Sequence, residues 1–252
     1  MTIFAKPILL TSILAALAGT SAVAQTAAPA APAAAPASTL SYNVGVVTDY
    51  RYRGISQSRL QPAVQGGVDF AHSSGAYVGA WASTIKWVKD VGGDSDVELD
   101  IYGGYKGTAG AVGYDVGVLT YIYPSNGLAP SANTTEIYAA GTVGPATLKY
   151  SHALTNTFGF ANSKNSGYLD LSATFDLGNG FSLVPHVGYQ RIAKNSAASY
   201  TDYSLTLAKD FGNGLAVTAA VVGTDADKEG YVTPAGKFTG KAGVVVGLKY
   251  SF

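Results

Sequence analysis

The run Asp49-Tyr50-Arg51-Tyr52-Arg53 sets one carboxylate and two guanidinium groups at alternate positions inside an otherwise apolar stretch, residues 43 to 54. In an extended chain alternate residues share a face, so these charges project with Asn43, Gly45 and Val47, while Val44, Val46, Thr48, Tyr50 and Tyr52 take the other side. Fixed charges on one strand face do no covalent chemistry by themselves; they attract and orient passing ions. Nucleophilic chemistry has a candidate in Ser151 beside His152, but neighbouring strand residues point to opposite faces, and the positions two removed from His152 are Tyr150 and Leu154. His72 and His186 stand elsewhere without metal-ligand spacing, and the chain has no cysteine. Catalytic residues, a metal and a cofactor are therefore not expected, and the chain is not read as an enzyme.

The elements that must carry these charges announce themselves by polarity. Charged residues make up 13% of the 252-residue chain, about half of the roughly 25% usual for soluble domains. No segment from residue 40 onward keeps the helical 3.6-residue period; instead, stretches of about ten residues alternate in polarity between turn signals. The predicted strands span 40–53, 62–71, 76–87, 96–106, 111–123, 134–143, 146–157, 167–177, 181–191, 200–211, 215–225 and 240–252. The alternation is clearest at 96–106, where Val97, Leu99, Ile101 and Tyr105 oppose Asp96, Glu98, Asp100 and Lys106. Turns after even-numbered segments are tight (HSSG, GTAG, GP and two GNG), whereas those after odd-numbered ones are longer and polar, such as the run Ala226 to Thr239. Short turns at one rim and long loops at the other are the habit of outer-membrane barrels. The predicted fold is all-β: a transmembrane, antiparallel, up-and-down β-barrel of about twelve strands over residues 39–252.

On that topology the greasy parity meets lipid and the charged parity meets the lumen. The candidate pore-lining residues are Asp49, Arg51, Arg53, Asp69, Lys86, Glu98 and Asp100 in the first half of the chain, and Asp115, Glu136, Lys149, Asp170, Lys241 and Lys249 in the second. Arg51 and Arg53, near the outer mouth, are expected to favour anions, with Asp49 opposing them. The alternative is that they pair with wall acids such as Asp69 or Asp100 and stiffen the hairpin. Aromatic girdles are expected from Tyr42, Phe70, Tyr77, Tyr105, Tyr114, Phe181, Phe211 and Phe252 at the tight-turn rim, and from Tyr50, Tyr52, Trp87 and Tyr189 at the other. Pro185 mid-strand demands a bulge or a lost ladder bond, and His152, Arg191 and Lys209 fall on the lipid-facing parity, the last two near rims where long cations snorkel.

The N-terminal residues 1–24 read as a signal peptide: Lys6, an apolar run from Ile8 to Leu17, and Ala22-Val23-Ala24 before a cut ahead of Gln25. Residues 25–38 form an Ala/Pro-rich low-complexity leader, expected to be disordered. Formal charge is balanced, with 16 basic and 16 acidic residues, which leaves no basic footprint for nucleic acid.

With VTDYRYRGISQS at 47–58, the apolar C-terminal strand and the signal peptide, residues 40–252 resemble the TorF-like porin family of bacterial outer-membrane barrels. The resemblance implies export to the Gram-negative outer membrane and lipid contact. It also implies that Leu248, Tyr250 and Phe252 belong to a terminal strand read transiently by the barrel assembly machinery. The expected function is passive diffusion of small hydrophilic solutes or ions through a porin-like channel. The competing readings are a non-conducting structural or adhesive barrel and a lipid hydrolase, the latter opposed by the Ser151–His152 geometry.

Overall fold

Period-two polarity becomes a closed wall in the computed structural model, which describes residues 38–252; the predicted signal peptide and the leader up to residue 37 lie outside the described residues. In chain order the elements are β1 (Ser38–Val47), β2 (Arg51–Tyr52), β3 (Ile55–Ser56), β4 (Ala63–His72) and β5 (Ala76–Thr84), then a single helical turn, α1 (Trp87–Asp90). They continue with β6 (Val97–Ala109), β7 (Val112–Ile122), β8 (Thr134–Val143), β9 (Ala146–Ala153), β10 (Gly167–Ala173) and β11 (Phe175–Gly178). The last are β12 (Phe181–Arg191), β13 (Tyr200–Asp210), β14 (Leu215–Thr224) and β15 (Gly243–Ser251). Each wall strand pairs antiparallel with its neighbours in the chain, and β11 prolongs β10 beside β12, so the wall counts twelve strands. β15 returns to pair with β1, from Asn43↔Ser251 to Val47↔Gly247, which removes the free edge.

Parity decides what each residue meets. Leu40, Tyr42, Val44 and Val46 of β1, Val112, Tyr114, Val116 and Val118 of β7, and Val244, Val246, Leu248 and Tyr250 of β15 are all exposed on the outside, whereas Gln65, Glu98, Asp100, Glu136, Lys149 and Asp202 are buried inside. An apolar exterior around a charged interior is a barrel that crosses lipid. Tyr42, Phe70, Tyr105, Tyr114, Phe181, Phe211, Phe252 and Tyr189 are exposed outward as the girdles require.

Four aromatics are not where sequence parity places them. Tyr77 faces the lumen, its hydroxyl donating to Asp115 Oδ1 at 2.6 Å, because Val78 takes the outward position on β5. Tyr50 and Tyr52 are buried inside, since β1 ends at Val47 and the chain turns inward there. Trp87 belongs to α1, not to a strand, and packs edge-on against Tyr123 at 5.1 Å.

Pro185 sits within β12 opposite Leu205 of β13, and the ladder on its other side is interrupted: β10 stops at Ala173 and β11 begins at Phe175. The missing N–H is absorbed by that break. Lys209 reaches the tight-turn rim, where its Nζ donates to the Asn179 carbonyl and lies over the rings of Phe181 and Phe211.

Candidate functional site

The segment after Val47 does not continue up the wall. Thr48 marks the end of β1 pairing: its backbone N–H donates to Val246 O and its Oγ1 accepts from Val246 N, both at 2.9 Å. Asp49 then gathers a local network, accepting from Arg51 Nε at 2.5 Å, Ser56 Oγ at 2.5 Å and Ser58 Oγ at 3.2 Å. Between them, β2 and β3 pair Arg51 with Ser56 and Tyr52 with Ile55 around a two-residue turn in which Arg53 has φ +46 and Gly54 φ +77. Two successive left-handed residues make the type I′ turn that suits a tight hairpin. This hairpin lies inside the barrel, with Arg51 to Ser58 buried throughout.

Its side chains span the lumen in steps. Tyr50 donates to Glu98 Oε1 of β6 at 2.5 Å and packs edge-on against Trp81 of β5. The Tyr52 hydroxyl meets that of Tyr121 on β7 at 2.6 Å. At the tip, Arg53 forks onto Glu136 of β8, Nη2 to Oε2 at 2.7 Å and Nη1 to Oε1 at 3.1 Å, and its Nη1 also donates to Gln190 Oε1 of β12 at 2.5 Å. The Arg53 guanidinium lies over the rings of Tyr52 and Tyr168, 4.8 and 4.2 Å from their centroids. A bidentate, ring-stacked arginine joined to a buried acid fixes geometry as well as charge. β8 lies about half-way round the wall from β1, so the tip has crossed the barrel. Arg51 ties the hairpin to the β14–β15 connection, its Nη1 donating to the carbonyls of Gly54, Thr239 and Lys241 at 2.9, 3.0 and 3.2 Å.

Beside the tip, Tyr168, Asp170, His186 and Asp202 border a void of about 30 Å³, room for one or two waters. His186 Nε2 lies 2.8 Å from Asp170 Oδ2, and the Tyr168 hydroxyl donates to Asp202 Oδ2 at 2.9 Å. Toward the tight-turn rim, Tyr102 donates to Asp69 at 2.5 Å, and Lys149 Nζ lies 4.1 Å from the Tyr138 ring centroid.

The expected lumen residues divide accordingly. Asp69, Glu98, Asp100, Asp115, Glu136, Lys149, Asp170 and Lys249 project inward from wall strands as parity requires. Asp49, Arg51 and Arg53 lie in the lumen but on the inserted segment, not on the first strand, and their acidic partners are Asp49 and Glu136 instead of Asp69 or Asp100. Lys86 precedes α1 in the β5–β6 connection, and Lys241 is exposed ahead of β15; both lie off the wall because the flanking strands end short of them. In that same β5–β6 connection, Lys89 at 3.1 Å holds the Asp96 carboxyl below its ordinary range. Ser151 is buried inside, and His152 sits on the outer face near Tyr150 and Asn165, so the two do not meet.

The sequence reading leaves Tyr121, Tyr168, Gln190 and Asp202 unassigned and notes His186 only for its lack of metal-ligand spacing. Parity alone places Asp202 inward, opposite the outward Tyr203. The arginine–glycine pair at the centre of YRGI was the available sign of a turn.

Fold and site together define a class: a membrane-spanning barrel of porin architecture with its first long loop inserted in the lumen. Within that class, the chain belongs to the bacterial protein family of unknown function Gcw_chp, whose model matches residues 30–252. No curated protein matches it in sequence. Among solved structures it is similar to the KdgM porin, with TM-score 0.55 and 10% identity, covering 85% of this chain and 99% of that one. The KdgM porin in complex with disordered oligogalacturonate gives TM-score 0.54 at 9% identity, with the same coverage. The NanC porin gives 0.52 at 10%, again covering 85% and 99%. At such identities the likeness is one of fold.

Proposed function

We propose that this protein is an outer-membrane channel for passive diffusion of small hydrophilic solutes or ions, its conductance set by the inserted first loop. One observation carries the reading: a charged, tyrosine-lined lumen inside an apolar wall is crossed by a hairpin held through reversible polar contacts, chiefly Arg53 on Glu136 and Gln190. The porin folds of KdgM and NanC support the class, as does the likeness of residues 47–58 to TorF-like porins. The same reading includes a cleaved signal peptide, lipid around the wall, and transient recognition of Leu248, Tyr250 and Phe252 by the barrel assembly machinery.

The small void beside the tip favours a second reading, a closed structural barrel. Single-channel recording in planar bilayers separates them. The channel reading expects small, resolvable steps from the native protein and larger ones when residues 50–57 are replaced by a short Gly-Ser link. Silence from both proteins, each still folded by heat-modifiable gel mobility, would favour the structural barrel.

A further inference from the structure

Over the hairpin, on the long-connection side, lies a chamber of about 410 Å³. Its lining comes from the hairpin, α1, and the connections β7–β8, β9–β10, β12–β13 and β14–β15. Aromatic rings dominate it: Tyr52, Trp87, Phe158, Phe160, Tyr200 and Tyr231. A concave, largely apolar space of this size, built from converging loops, has the dimensions of a small-molecule site.

Its polar groups are few and mostly engaged. Asp90 is the charged side chain of the lining and is paired with Arg59. Gln190 gives Oε1 to Arg53 and Nε2 to the Gly167 and Arg191 carbonyls, and Tyr231 donates to Ala198 O at 2.7 Å. The indole N–H of Trp87 has no acceptor among the described residues, and it is itself closed to a water-sized group. Phe158 is held at φ +48, with its ring edge-on to Tyr52 and Tyr121. A bulky residue persists in that conformation only where its surroundings over-determine it, which happens at ligand sites.

We infer that the chamber binds an uncharged aromatic compound, whose ring packs against the aromatic lining. A carbohydrate would bury several hydroxyls against rings and leave them unpaired, and an anion would find no free cation in the lining. The site does not depend on the barrel conducting, because it lies over the hairpin and not beyond it.

The chain has two tryptophans, so the Trp81→Phe protein reports on Trp87 alone. Titrating it in detergent with 4-nitrobenzyl alcohol, a neutral quenching probe, should give saturable quenching. The curve should weaken about tenfold with Phe160→Ala and recover with Phe160→Tyr. Tyr231→Leu serves in place of Phe160→Ala if the latter loses heat-modifiable mobility. Linear quenching that ignores these variants would mean partition into micelles and overturn the site. Displacement of the probe by maltose or digalacturonate would overturn the ligand class. Channel recording on the same proteins keeps a failure of conduction distinct from a failure of binding.

Discussion

Arg53 occupies a left-handed turn position that costs a non-glycine residue roughly 1–3 kcal/mol, yet it is only 6% exposed and faces Glu136 at 2%. The bidentate pair, the Gln190 bond and the two tyrosine faces are what offset that cost. Removing one partner of such a buried pair costs about 3–5 kcal/mol where the other charge must stay buried. Here it need not stay, because a loop can swing out and hydrate. Glu136→Ala is therefore expected to release the hairpin instead of unfolding the wall. Trypsin added to the assembled barrel should cut after Arg51 and Arg53 in the variant and leave those bonds intact in the native protein. Equal resistance in both would show that the pair does not hold the hairpin. At this scale the sequence was partly legible. Parity assigned Glu136, Lys149 and Asp170 to the inside, but it cannot say which inward charges meet across a lumen, since partners there are set by barrel curvature and not by spacing along the chain.

The hairpin shows why element boundaries were harder to read than elements. Most predicted strands match the observed ones closely, 134–143 and 181–191 among them, because lipid outside and polar groups inside impose alternation along most of the wall. The same alternation runs on through Thr48, Tyr50 and Tyr52, although β1 ends at Val47 and the Tyr50 and Tyr52 side chains meet the barrel interior. Tyrosine suits either setting, being apolar in its ring and polar at its tip. What separates strand from insert is turn chemistry at Arg53-Gly54. Gly54 is pressed against the wall at β13 and β14: a Cβ there would stand 2.4 Å from Thr224 Cγ2 and 2.7 Å from Asp202 Cβ, at φ +77. Gly54→Val adds steric conflict to backbone strain, so the hairpin should tilt off β13 and β14 and enlarge the path. Single-channel conductance should rise above native in this variant while gel mobility stays heat-modifiable. Native conductance in a folded Gly54→Val protein would locate the narrowest point elsewhere.

For the whole molecule, closure rests on the seam between the first and last wall strands. Tyr42 and Phe252 exchange both backbone hydrogen bonds at 2.9 and 3.0 Å, and their rings stack at 5.7 Å. Phe252 is also 66% exposed on the outer face, beside Tyr250 at 5.8 Å. The residue thus offers two separable things, a backbone rung that closes the barrel and an aromatic ring at the membrane interface. Phe252→Ser keeps the rung and loses the ring, whereas deletion of residue 252 loses both. If the ring chiefly serves assembly in the cell, Phe252→Ser should reduce heat-modifiable barrel in outer membranes nearly as far as deletion does. The purified Phe252→Ser chain should nonetheless refold into detergent almost as well as native, and the deletion should lag, since its Tyr42 N–H and carbonyl lose their partners at the seam. Equal refolding of all three chains, with normal membrane levels of Phe252→Ser, would confine the terminal ring to packing on Tyr42 and Tyr250 and remove it from assembly.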